Sequence, residues 1–98
     1  MTITKTQNET SLELALNGRL DTTTAPELEK ELESDLQGVS ELTLDFAGLD
    51  YISSAGLRVL LSAQKTMSRQ GSMTIKNVNE IIMEIFEVTG FSDILTIL

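Results

Sequence analysis

Leu12, Leu14 and Leu16 alternate with Glu13, Ala15 and Asn17. That period of two predicts a half-buried strand. A weaker alternation begins at Ile3, and Asn8-Glu9-Thr10 between the two segments reads as a turn. Together they predict a β-hairpin whose first strand lies at an edge. Asn17-Gly18 ends or bends the second strand.

From Thr22 the period changes. Leu28, Leu32 and Leu36 recur every four residues and fall on one helix face, while Glu27, Glu29, Glu31, Glu33 and Asp35 occupy the others. Thr24 followed by Glu27 matches a capping box, Pro26 suits a first helical turn, and Gly38 suits the stop. Leu42, Leu44 and Phe46 then alternate as a third strand, broken by Gly48-Leu49-Asp50.

Ser53 or Ser54 opens a second helix that runs to about Gln70, with Gly71 as its stop. Its apolar set (Leu57, Val59, Leu60, Leu61, Ala63 and Met67) is too wide for a narrow stripe and predicts a well-buried helix. Met73, Ile75 and Val78 form a fourth strand. Asn79 caps a third helix lined by Ile81, Ile82, Ile85 and Phe86 and ended by Gly90. Ile94 to Leu98 is a candidate final strand.

The order ββαβαβα(β) predicts an α/β fold: a four- to five-stranded mixed sheet with helices packed on it. Helices between strands imply parallel pairing, and the leading hairpin adds an antiparallel edge. With 98 residues and no repeat, linker or low-complexity tract, residues 1–98 read as a single domain.

Charge narrows the partners. A formal net charge of −8 argues against nucleic acid, whose phosphates demand lysine and arginine, and against an anionic membrane surface. It favours solubility and a basic or neutral protein partner. The chain has no cysteine and no histidine. Disulfides, thiol nucleophiles, Cys/His zinc sites and a Ser-His-Asp triad are excluded. No stretch approaches the ~18 apolar residues of a membrane span, and Met1 to Thr10 lacks the basic-then-apolar pattern of a signal peptide. A cytoplasmic protein without cofactor or metal is the expectation.

Ser53-Ser54-Ala55-Gly56 is the most informative stretch for chemistry. It follows a strand and opens a helix, where unpaired N–H groups and the peptide dipole favour an anion. Arg58 lies four residues beyond Ser54 on the same helix face. Phosphorylation there would add about −1.5 to −2 charges and act as a switch, not as catalysis. The plainer reading is that the serines are an N-cap.

Asp21 follows the second strand. If it lies on the same sheet edge as Ser54 the two could be neighbours, with Asp21 contacting a partner; turn and cap chemistry is the equal alternative. Asp45 and Asp50 flank the loop before Ser54, match no ligand spacing and read as solvated charges. Helix three is more apolar than one buried stripe needs, which core packing explains better than a docking patch.

Leu49-Asp50-Tyr51-Ile52-Ser53-Ser54-Ala55-Gly56-Leu57-Arg58-Val59-Leu60-Leu61 resembles the signature of STAS domains, the family of sulfate transporters and anti-sigma-factor antagonists. Gly18-Arg19-Leu20-Asp21 resembles its Gly-x-Leu-Asp motif. The resemblance covers nearly the whole chain. It implies an antagonist that binds an anti-sigma factor, itself a serine kinase, and so frees a sigma factor for transcription. The kinase phosphorylates a serine of the signature, and a serine phosphatase resets it.

By motif position Ser54 matches the acceptor. Ser53, where many members carry Asp, is a rival. Asp21, Thr22, Thr23, Ser53, Ala55, Gly56 and Arg58 are the implied partner contacts. The resemblance implies no enzyme activity. The alternative it leaves is a non-switching STAS interaction module in a lipid-transport or stress-signalling assembly.

Overall fold

A computed structural model describes residues 1–98. Strands β1 (Thr2–Asn8) and β2 (Ser11–Leu20) form the hairpin, followed by α1 (Ala25–Asp35), β3 (Glu41–Ile52), α2 (Ser54–Gln70), β4 (Ser72–Lys76) and α3 (Glu80–Thr89). The sheet order is β1-β2-β3-β4. β1 runs antiparallel to β2, and β2, β3 and β4 are parallel.

The alternation seen in the sequence becomes the two faces of this sheet. Leu12, Leu42 and Met73 are register partners, as are Leu14, Leu44 and Ile75, and all six are buried. Phe46 continues that row and packs on Phe86 of α3 with ring centroids 6.4 Å apart. The opposite row (Glu13, Thr43, Thr74) is only part-buried, and Lys76 Nζ reaches Glu13 Oε1 across it at 3.2 Å. All three helices therefore share one sheet face and the other meets water, as a one-sided sheet permits. No polar or charged residue is buried in the core.

Three local expectations are corrected. Gly48-Leu49-Asp50 does not break β3, which continues to Ile52. Two register shifts against β2 absorb the extra residues, so Leu49 and Ile52 stay buried. Gly48 lies where a Cβ would fall 1.8 Å from Asn17 Oδ1, so the glycine allows the close strand approach at the first shift. Of the two outcomes Asn17-Gly18 allows, the strand bends and runs on to Leu20.

The tail makes one parallel bridge, Ile75 to Ile97, and no fifth strand. Ile75 donates its N–H to Thr96 and accepts from Leu98, each at 2.9 Å.

The capping box at Thr24 does not form. Thr24 Oγ1 donates instead to the Arg19 carbonyl at 2.7 Å and accepts the Asp21 N–H at 2.9 Å. Asn79, by contrast, caps α3 as expected, with Oδ1 accepting the Ile82 N–H at 2.8 Å.

Candidate functional site

β2 and β3 end side by side. Leu20 and Ile52 are register partners, and Ser53 donates its N–H to the Leu20 carbonyl at 2.9 Å. The chain leaves both strands from the same sheet edge, once into the Asp21–Thr24 turn and once into α2.

Asp21 organises its turn. Oδ1 accepts the N–H of Thr23 at 3.0 Å and of Thr24 at 3.1 Å, and the Asp21 carbonyl accepts the Ala25 N–H at 2.7 Å. The Thr24 N–H, and then the Thr23 N–H, Thr24 side chain and Arg19 charge, hold this carboxyl below the usual carboxylate range. Oδ2 faces Arg19 Nε at 3.7 Å. The cap chemistry considered for Asp21 is thus its geometry, and its side chain stays 32% exposed.

Ser53 and Ser54 part company. Ser53 is the N-cap residue of α2 in extended conformation, and its hydroxyl makes no cap. Its Oγ is buried and has no hydrogen-bond partner. Ser54 is the first helical residue and is exposed. The first turn of α2 carries no acidic side chain and no side-chain cap, so its N–H groups present undiluted positive potential.

Gly56 is buried beneath this turn. A Cβ there would lie 2.8 Å from both Ile52 Cγ1 and Leu20 Cγ, so the glycine lets the helix start rest directly on the two strand ends.

A hollow of about 240 Å³ separates this helix start from the start of α1, with Thr22, Pro26, Ala55 and Arg58 on its walls. Arg58 is exposed and takes part in none of the three ion pairs of the molecule. Thr22, Ala55 and Arg58 therefore meet at this hollow; Ser54 begins the helix next to Ala55, Asp21 precedes Thr22 in the adjoining turn, and Gly56 lies buried beneath, none of these three lining the hollow itself. Thr23 is exposed on the turn but lines no part of the hollow.

Asp45 and Asp50 do not join them. Asp45 lies within β3, where Oδ1 accepts from Asn77 Nδ2 at 2.9 Å and from the Ala47 N–H at 3.0 Å. The Asn77 bond first, then Ala47 and the Lys76 charge, lower its carboxyl pKa. No three acidic side chains converge anywhere in the chain as a metal site would need.

One pair escaped the sequence reading. The Arg19 guanidinium lies over the Tyr51 ring, 4.7 Å from its centroid, and the two are register partners. Arg19 stands in the Gly-Arg-Leu-Asp motif, but its partner depends on bulges that no local pattern announces.

The family profile described as "Mlab, STAS domain" matches residues 3–97. The chain is a STAS domain. The anti-sigma-B factor antagonist of Bacillus subtilis is 29% identical over 92 residues, covering 93% of this chain and 84% of that protein. BtrV of Bordetella bronchiseptica, provisionally assigned as an anti-sigma factor antagonist, is 35% identical over 96 residues, 96% of this STAS domain and 83% of BtrV.

Among solved structures, the anti-sigma factor antagonist SpoIIAA in its unphosphorylated form superposes with a TM-score of 0.78 at 14% identity, covering 99% of this chain and 87% of SpoIIAA. The phosphorylated form of Bacillus SpoIIAA gives 0.77, with 99% and 91% covered. At that identity the likeness establishes the fold. The STAS domain has no helix long and apolar enough to cross a membrane.

Proposed function

We propose that this STAS domain is a cytoplasmic anti-sigma factor antagonist switched by phosphorylation of Ser54. Asp21, Thr22, Thr23, Ala55 and Arg58, beside the Ser54 helix start, dock on an anti-sigma factor of the serine-kinase type and release a sigma factor; Gly56 and the Ser53 hydroxyl, both buried, position that helix start instead of touching the partner. The kinase transfers phosphate to Ser54, the antagonist lets go, and a serine phosphatase restores it. The observation that carries this reading is the division of labour between the two serines: the Ser54 side chain is exposed at the helix mouth, whereas Ser53 Oγ is buried. The relatives' names as anti-sigma factor antagonists support the same class of partner.

The physics of release is local. A phosphate on Ser54 would sit at the positive end of α2, where the helix tolerates it. It would also add about −1.5 to −2 charges to a protein already at −8, at the centre of the contact. Repulsion and desolvation then weaken docking without refolding. Incubation with candidate kinases and ATP, followed by mass spectrometry, tests it. Phosphate on the peptide holding Ser53 and Ser54, abolished by Ser54→Ala and retained by Ser53→Ala, is the expected result. In calorimetry Ser54→Ala binds the kinase and Ser54→Asp binds weakly. Equal affinity of Ser54→Asp and wild type would leave the domain a non-switching interaction module.

A further inference from the structure

α2 is the exception in an acidic molecule. Its 17 residues carry Arg58, Lys65 and Arg69 and no aspartate or glutamate. By contrast, α1 sets five acidic side chains against one lysine, and α3 carries three glutamates and no base. Ser54, Arg58, Ser62, Lys65 and Arg69 are all exposed, and their spacing of four, four, three and four residues places them on one helix face. The three cations take part in none of the molecule's ion pairs; Glu29 lines the same hollow as Arg58 without pairing with it. Helix stability accounts for Arg69, in the last turn. It does not account for Arg58, one turn from the positive end of the helix, where an acid is favoured. The face is a positive ridge headed by Ser54.

We propose that this ridge docks on an acidic patch of the anti-sigma factor. The inference rests on the switching role given above to Ser54 and names the chemistry of the surface that Ser54 faces. Its sign follows from release. A dianion gained opposite a basic patch tightens a contact; opposite an acidic or uncharged one it rejects the partner. The unpaired cations select the acidic case. A phosphate on Ser54 lowers the ridge charge from +3 to about +1 to +1.5, with Arg58 as its neighbour four residues on. The chain's net charge of −8 does not prevent such docking. The ridge from Ser54 to Arg69 is about 22 Å long. At physiological salt, exposed charges more than about 8 Å away are largely screened, so the cations at the contact set its sign.

The test uses the full chain and the purified kinase that phosphorylates it. Lys65→Gln with Arg69→Gln removes two ridge charges away from the Ser54 helix start. Lys5→Gln with Lys30→Gln removes two exposed charges elsewhere and changes net charge equally. In calorimetry the ridge pair is expected to weaken binding about fivefold or more, and the control pair by no more than about twofold. Raising the salt concentration should weaken wild type more steeply than the ridge variant. Lys65→Glu alone serves as the second variant, with circular dichroism checking the fold of each.

Equal losses from the two pairs would reduce the effect to net charge and overturn the ridge. Tighter binding by the ridge pair would make the partner's patch basic and overturn it as well. Wild-type affinity of the ridge pair, with binding still lost in Ser54→Asp, would overturn the ridge and leave the Ser54 switch standing; loss of binding to anionic vesicles in that same variant would reassign the ridge to a lipid surface. If no candidate kinase binds the wild-type chain, the docking reading falls and the ridge falls with it.

Discussion

Ser53 donates its backbone N–H to the Leu20 carbonyl at 2.9 Å, and this hydrogen bond ties the start of α2 to the end of β2. Through it the Asp21 turn and the Ser54 helix start, which lie 33 residues apart in the chain, leave the sheet together. The signature's two serines do different work on either side of that tie. One faces inward under the helix and the other faces out.

The buried Ser53 hydroxyl gives the first prediction. An unsatisfied buried hydroxyl costs about 1–3 kcal/mol relative to a satisfied one. Ser53→Ala removes that group while leaving the backbone tie intact. Its stability in urea titration should equal or exceed that of wild type, by up to about 1 kcal/mol. A clear loss would mean that the hydroxyl has a partner in solution.

Gly56 supplies the second. A methyl group there meets Ile52 and Leu20 at 2.8 Å, inside a packed core. Gly56→Ala gains helix propensity but overpacks the helix–sheet contact, an effect of roughly 1–3 kcal/mol. The expected net is a lower denaturation midpoint together with a displaced Ser54, read as chemical-shift changes at Ser53 to Arg58. An unchanged midpoint would show that the strand ends yield easily.

Acid sensitivity follows from Asp21 and Asp45, whose carboxyls are held below the usual carboxylate range, Asp21 first by the Thr24 N–H and Asp45 first by the Asn77 side chain. The hydrogen bonds lowering them favour the ionised form, so their contribution is fully present above the unfolded carboxylate pKa. It is lost as pH falls through the lower folded values. Asp21→Asn with Asp45→Asn keeps acceptors in place and removes the titration. The variant's melting temperature should decline less steeply than wild type as pH drops below about 4. Parallel declines would assign acid unfolding to other carboxylates.

Asn79 makes two bonds at once. Its Oδ1 caps α3 through Ile82, and its Nδ2 donates to the Leu49 carbonyl at 3.0 Å in the bulged part of β3. Asn79→Ala should cost about 1–2 kcal/mol, and Asn79→Asp, which keeps the cap but loses the donor, less than that. Equal effects of the two would place the importance in the Leu49 bond.

Much of the molecule is legible in its sequence. Leu12-Leu14-Leu16, Leu28-Leu32-Leu36 and Leu42-Leu44-Phe46 each announce their element by period, because a strand and a helix bury residues at fixed intervals set by backbone geometry. Asn79, Gly71 and Gly90 mark helix ends for equally local reasons. The serine-rich helix start and the Gly-Arg-Leu-Asp turn stood out as short motifs too.

What the sequence could not determine was whatever depends on distant segments meeting. The continuation of β3 past Gly48, the Arg19–Tyr51 stack, the replacement of the Thr24 capping box by Asp21, and the hollow between the starts of α1 and α2 all arise from register and packing. Local propensity sees a glycine or a threonine and proposes a break or a cap. Only neighbouring strands, by supplying hydrogen bonds and excluding water, decide whether the chain keeps going and which of two adjacent hydroxyls reaches solvent.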